Sequence, residues 1–220
     1  MAAPIKGSVT NANPTPGSNS HSINHIQNSG TNKLLVVFVT MAKTTNFSGA
    51  TYNGVGMTEV YKLLRNGFSQ RMACYYLENP DDGNNTLTIN FTGNQFNPIS
   101  IHARSFTDSG GVGANGNTGG QNTPNNQTLT VEEDSLIMMT SCSVNQILTQ
   151  QIPSGTNRTF AAHNTNRQVA TGAISADAGH SAGSIALRAT STFGTVTLDR
   201  VEIKGLSATT SNQGNFFKMF

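Results

Sequence analysis

Apolar residues first run together without a polar break in Lys33–Lys43, KLLVVFVTMAK. An uninterrupted run of that length predicts a strand covered on both faces. Thr86–Thr92, TLTINFT, alternates instead. Leu87, Ile89 and Phe91 fall on one side and Thr and Asn on the other, the period of a half-buried strand. Gln70–Glu78, Ile99–Phe106, Thr128–Val131, Ser135–Val144, Gln168–Ala176, Ala182–Ala189 and Thr195–Lys204 read as further strands. In the last of these the apolar phase slips between Leu198 and Val201, which predicts a β-bulge there. The segment MTEVYKLLRNG is ambiguous. Met57, Val60, Tyr61 and Leu64 have helical spacing and Gly67 would end a short helix, but its β surroundings favour a strand.

The punctuation agrees with β structure. Asn53-Gly54 is a strong two-residue turn signal, and NPDDGNN after Glu78 reads as a tight hairpin turn. Asp108–Asn126, DSGGVGANGNTGGQNTPNN, reads as a long surface loop with nothing for a core and tolerance of shortening. Residues 1–20 carry Pro4, Pro14 and Pro16 among Gly, Ser and Asn and read as an N-terminal arm. Residues 21–206 form the predicted domain. Residues 207–220 are a polar tail ending in Phe216, Phe217, Met219 and Phe220. The expected fold is all-β: a two-sheet antiparallel β-sandwich, jelly-roll-like, with extended N- and C-terminal arms.

Composition narrows the function classes. Charged residues make up 11% of the 220 and the net charge is +2, with thirteen scattered Lys and Arg. Nucleic-acid binding needs clustered basic residues, so no nucleic-acid partner is expected. No apolar stretch has transmembrane length, so no membrane is expected either. The opening MAAPIKGSVTNANPTPG lacks the apolar segment of a signal peptide, and synthesis in a cytoplasm is the expectation. Cys74 and Cys142 each lie in an apolar strand. Two buried free thiols are the favoured reading, with a disulfide between facing strands as the alternative.

Several motifs match catalytic patterns without their context. Gly179-His180-Ser181-Ala182-Gly183 fits G-x-S-x-G, but the hydrolase order needs a histidine downstream of the serine, and His180 is the last one. Gly111-Val112-Gly113-Ala114-Asn115-Gly116 fits G-x-G-x-x-G, yet no helix former follows to meet a pyrophosphate. His21, His25, His102, His163 and His180 show no ligand spacing. Asp81-Asp82-Gly83-Asn84-Asn85 lacks the alternation of a calcium loop. Glu132, Glu133 and Asp134 read as a solvated turn. No catalytic residue, cofactor or metal is expected.

Four stretches together carry a resemblance: SGTNKLLVVFVT, ATYNGVGMT, ACYYLENPDDGNNTLTINFTG and ISIHARSF. They resemble a β-sandwich module of phage virion proteins that also occurs in some bacterial surface proteins. DRVEIKGL is similar to that module's last strand, so the likeness spans roughly residues 20–206. The resemblance implies a non-enzymatic virion protein: a head decoration (cement) or other capsid-associated protein, assembled in the host cytoplasm. Its partners would be the major capsid protein, other virion proteins and copies of itself. Independently of the resemblance, an apolar cluster after a polar spacer is not expected to stay in water, so Phe216, Phe217, Met219 and Phe220 either dock on a partner, the favoured reading, or fold back on their own domain. The alternative is a tail, fibre or surface adhesin with a carbohydrate-binding sandwich. The absence of Trp counts against stacking on sugars.

Overall fold

The structure is a computed structural model describing residues 2–42, 46–64, 70–95, 99–122, 124–143, 148–151, 163–165, 169–176, 178–191 and 195–207. Among the described residues there are seventeen strands and no helix. The first half of the chain supplies β1 (Ile5–Ala12), β2 (Ser18–Gln27), β3 (Leu34–Ala42), β4 (Phe47–Tyr52), β5 (Val55–Gly56), β6 (Thr58–Leu64), β7 (Gln70–Glu78), β8 (Gly83–Gln95) and β9 (Ile99–Thr107). The second half supplies β10 (Ser109–Asn122), β11 (Asn125–Val131), β12 (Leu136–Ser143), β13 (Leu148–Gln151), β14 (His163–Thr165), β15 (Val169–Ser175), β16 (Gly183–Ser191) and β17 (Thr195–Gly205).

These strands form four antiparallel sheets: sheet I in the order β1-β9-β3-β7-β6, sheet II β2-β8-β4-β5, sheet III β10-β17-β12-β15-β14 and sheet IV β11-β16-β13. Sheets I and II come entirely from the first half of the chain, and III and IV from the second. Replace β1–β4 by β10–β13 and β6–β9 by β14–β17, and sheet I becomes sheet III strand for strand. Sheet II becomes sheet IV in the same way, apart from the short β5. Each half is therefore the two-sheet antiparallel sandwich that the alternation predicts, and the chain contains it twice.

The two sandwiches stack through their larger sheets. The odd-numbered side chains of β3 (Leu35, Val37, Val39, Met41) join Leu87, Ile89, Phe91 and Tyr52 in the core between sheets I and II. The even-numbered ones (Leu34, Val36, Phe38) join Leu136, Met138, Val201 and Ile203 between sheets I and III. On the far face of sheet III, Ile137, Met139 and Leu198 share that cluster with Leu129 and Leu187 of sheet IV. Sheets I and III are thus inner layers, which explains why β3, β9 and β12 are buried on both faces. The first and last described segments meet beside this stack. Ala2 N–H donates to Leu206 O (3.3 Å) and Leu206 N–H to Ala2 O (3.1 Å).

Several expectations are corrected. Residues 1–20 are not a free arm: β1 pairs with β9, and Ser18 begins β2. An edge strand that is only half-buried needs few apolar side chains, and Pro4, Pro14 and Pro16 fall outside its ladder. Residues 108–126 are not a surface loop. They form β10 along the whole length of β17 and begin β11. The glycines there make room for β17. A Cβ on Gly113 would lie 2.2 Å from Glu202 Oε2, and one on Gly116 2.9 Å from Arg200 Nη2. NPDDG is not a hairpin but a corner that carries the chain from sheet I to sheet II, with Asn79 and Gly83 at φ 48° and 86°. The bulge expected between Leu198 and Val201 is absent. β17 pairs with β12 in unbroken register from Val196 to Ile203, because both of its faces are covered. DRVEIKGL closes the second sandwich, not the one containing the other resembling stretches. Other expectations hold. β6 is a strand, Leu87, Ile89 and Phe91 are buried, and Asn53-Gly54 is a two-residue turn at φ 48° and 78° between paired Tyr52 and Val55.

Candidate functional site

The residues expected to contact partners, Phe216, Phe217, Met219 and Phe220, lie outside the described residues. Their point of departure is defined. Leu206 leaves β17 against Ala2, beside a cleft of about 270 Å³ lined by Asn32, Lys33, Glu78, Asn79, Ser109 and Leu206. Asn32 and Asn79 bend the backbone there through positive φ. The lining is polar, as befits a junction where turns of both halves converge.

The motif residues are placed as parts of turns and strands. Gly179–Gly183 forms the corner from β15 to β16, so a strand follows Ser181 where a nucleophile elbow needs a helix. His180 N–H donates to Ser135 O at 2.8 Å, and Ala182 N–H to Glu133 Oε2 at 2.8 Å. The G-x-G-x-x-G match is β10 itself. Asp81 Oδ2 accepts from Asn53 Nδ2 (2.8 Å) and Asp82 Oδ1 from Lys33 Nζ (2.6 Å), so both carboxylates tie the corner to its neighbours. Glu132, Glu133 and Asp134 form a turn with Glu132 and Glu133 exposed.

The histidines do not converge. His21 and His25 share the inner face of β2, each edge-on to an aromatic ring: Phe91 at 5.7 Å and Tyr52 at 6.2 Å. His25 Nδ1 lies 2.9 Å from Thr10 Oγ1, and burial pushes its pKa down to about 4. Burial also lowers His21 and His180. His102 Nδ1 is 2.8 Å from Asn11 Oδ1, and His163 lies on β14. Among the described residues no three His, Cys, Asp or Glu side chains gather as a metal site. Cys74 and Cys142 are free and fully buried, and burial raises both thiol pKa values well above the usual.

Two carboxyl groups escaped the sequence reading. Glu202 is buried between sheets III and IV. Its Oε1 accepts the N–H of Glu132 (2.6 Å) and its Oε2 that of Ala114 (2.7 Å). β10 is bulged between Val112 and Asn115, and Glu202 receives an N–H from the bulged segment. Asp199 points the other way, into the seam between sheets I and III, where it is fully buried near Tyr61 of β6. Loss of hydration pushes its carboxyl pKa up to about 8. The Tyr61 hydroxyl and the neighbouring Arg200 charge only partly offset that rise. The available signal was the phase slip in TVTLDRVEIKG. Acidic residues on both faces of a strand that is otherwise core mark an inner layer.

No protein-family model matches the chain, and neither a curated protein nor a solved structure matches it.

Proposed function

We propose that this protein is a non-enzymatic structural component of a virion, a head decoration or other capsid-associated protein that binds neighbouring subunits through its C-terminal tail. The major capsid protein, other virion proteins and further copies of the chain are the partners in this reading. The observation that carries it is the pairing of Ala2 with Leu206 where the last described strand finishes. That pairing lies just past the end of β17, so residues 207–220 follow the last described strand of the double sandwich. Extended, Ser207–Asn215 spans about 30 Å before the aromatic cluster begins, enough to cross to an adjoining subunit. The likeness of β3–β9 to the sandwich modules of virion proteins supports the same reading. Burial of one Phe side chain is worth about 1.5–3 kcal/mol, against about 1–2 kcal/mol for each residue that becomes ordered. A single tail therefore binds weakly, and repetition around a shell supplies the avidity.

The test removes residues 212–220. The isolated protein keeps its melting temperature, and its incorporation into particles falls. Normal incorporation of the truncated chain, or unfolding of the isolated domain, overturns the proposal.

A further inference from the structure

The seam between sheets I and III buries an ionisable carboxyl among apolar and polar side chains. Asp199 faces it from β17, Tyr61 from β6, Cys74 from β7 and Cys142 from β12, all at most 8% exposed. Arg200, next along β17, turns to the opposite face, where its Nε–H donates to Thr128 O. His102 and Arg104 face the seam from β9. His102 bonds to Asn11, and the guanidinium of Arg104 to Ser175 Oγ. Neither oxygen of Asp199 closes a regular hydrogen bond with a described group, and nor does the Tyr61 hydroxyl.

The duplicated topology shows how particular this placement is. Phe38 pairs with Cys74 and His102 across sheet I. Thr140 pairs with Ala173 and Asp199 across sheet III. Asp199 therefore occupies the position that His102 holds in the first sandwich. There the side chain has a hydrogen-bonding neighbour on the adjacent edge strand. Asn117 of β10 stands opposite Asp199 in the same way, but no hydrogen bond joins it to either carboxyl oxygen, and across the seam the carboxyl faces Tyr61 of the other sandwich.

We propose that Asp199 is an alkali-sensitive latch between the two sandwiches: with its carboxyl protonated the seam closes, and loss of that proton to solvent parts sheet I from sheet III around Tyr61. The guanidinium of Arg104 is engaged with Ser175 Oγ and that of Arg200 turns to the opposite face, so a bare carboxylate in the closed seam is poorly compensated, whereas the parted seam hydrates it. The direction follows from linkage. The closed form holds its proton up to about pH 8, and an open, hydrated carboxyl loses it near its ordinary value of about 4. The open fraction therefore rises up to tenfold per pH unit between those limits and levels off above the upper one.

Cys74 and Cys142 lie in the same seam and report its opening. The full-length chain and Asp199→Asn are alkylated with iodoacetamide from pH 6 to pH 9, and the modification rate of each cysteine is followed by mass spectrometry. The ionisation of the exposed thiol is common to both proteins and cancels in their ratio. The expected ratio of wild-type to variant rate climbs about tenfold per pH unit up to about pH 8 and is flat beyond. A ratio independent of pH overturns the latch. If Asp199→Asn does not fold, the wild-type rate divided by that of the urea-unfolded chain must show the same climb. Amide exchange in β8, which belongs to the other core, stays protected throughout after correction for its intrinsic pH dependence. Loss of that protection in step with alkylation would mean global unfolding and would equally overturn the proposal.

Discussion

Replacing Glu202 tests whether the glycine-rich strand β10 is an integral part of the second sandwich. The carboxylate is 2% exposed and accepts two backbone N–H groups, from Glu132 at 2.6 Å and Ala114 at 2.7 Å. Hydrogen bonds to a charged acceptor contribute about 1.5–3 kcal/mol each, and a buried donor left unpaired costs about 1–3 kcal/mol. Glu202→Gln keeps the volume but turns an NH₂ group towards one of the two N–H donors. A loss of about 2–4 kcal/mol is expected, and about 3–5 kcal/mol for Glu202→Ala. Gly113→Ala places its methyl carbon 2.2 Å from Glu202 Oε2 and forces the carboxylate off the Ala114 N–H. Its cost should be about 1–2 kcal/mol and should shrink in a Glu202→Ala background, where only the approach to Lys204 Cγ at 2.9 Å remains. Urea unfolding supplies the measurement, read as a shifted midpoint at constant slope. A Glu202→Gln chain within about 0.5 kcal/mol of wild type would refute the clamp, as would strictly additive costs for Gly113→Ala and Glu202→Ala.

Three further outcomes are expected. Deletion of Gly113–Gly119 removes the middle of β10 and should lower the melting temperature by many degrees, where shortening a true surface loop would barely move it. His25 stays neutral in the fold until about pH 4 but titrates near 6.5 when unfolded. Its contribution is therefore complete above pH 6.5 and is lost as pH falls to 4, by about 3 kcal/mol in all. The stability of wild type relative to His25→Gln, from urea midpoints at pH 4–7, should fall by that amount, and parallel curves would count against it. Leu87→Ala, in the core of sheets I and II, should cost about 2–5 kcal/mol, while Thr86→Ala on the outer face stays within about 0.5 kcal/mol in the same urea assay.

Local rules written in the sequence determined most of the strands. TLTINFT alternates with period two, so its register leaves Leu87, Ile89 and Phe91 no face but the core. Asn53-Gly54 tolerates the left-handed backbone that a two-residue turn requires. KLLVVFVTMAK announced a strand buried on both sides, although what covers its second face was not visible from the run itself.

What covers it was decided by tertiary structure. The second sandwich repeats the strand order of the first without an evident repeat in the sequence. A sandwich core asks only for apolar side chains at alternating positions, and KLLVVFVTM and SLIMMTSCS both satisfy that demand. The role of β10 was equally hidden. Its glycines mean turn or loop by local preference, yet here they are the residues small enough to lie beneath Glu202 and Arg200. The ionisation of Asp199 belongs wholly to the stack. On a solvated strand its carboxyl would titrate like any other, and only the meeting of two sheets from opposite halves of the chain removes the water that keeps it charged.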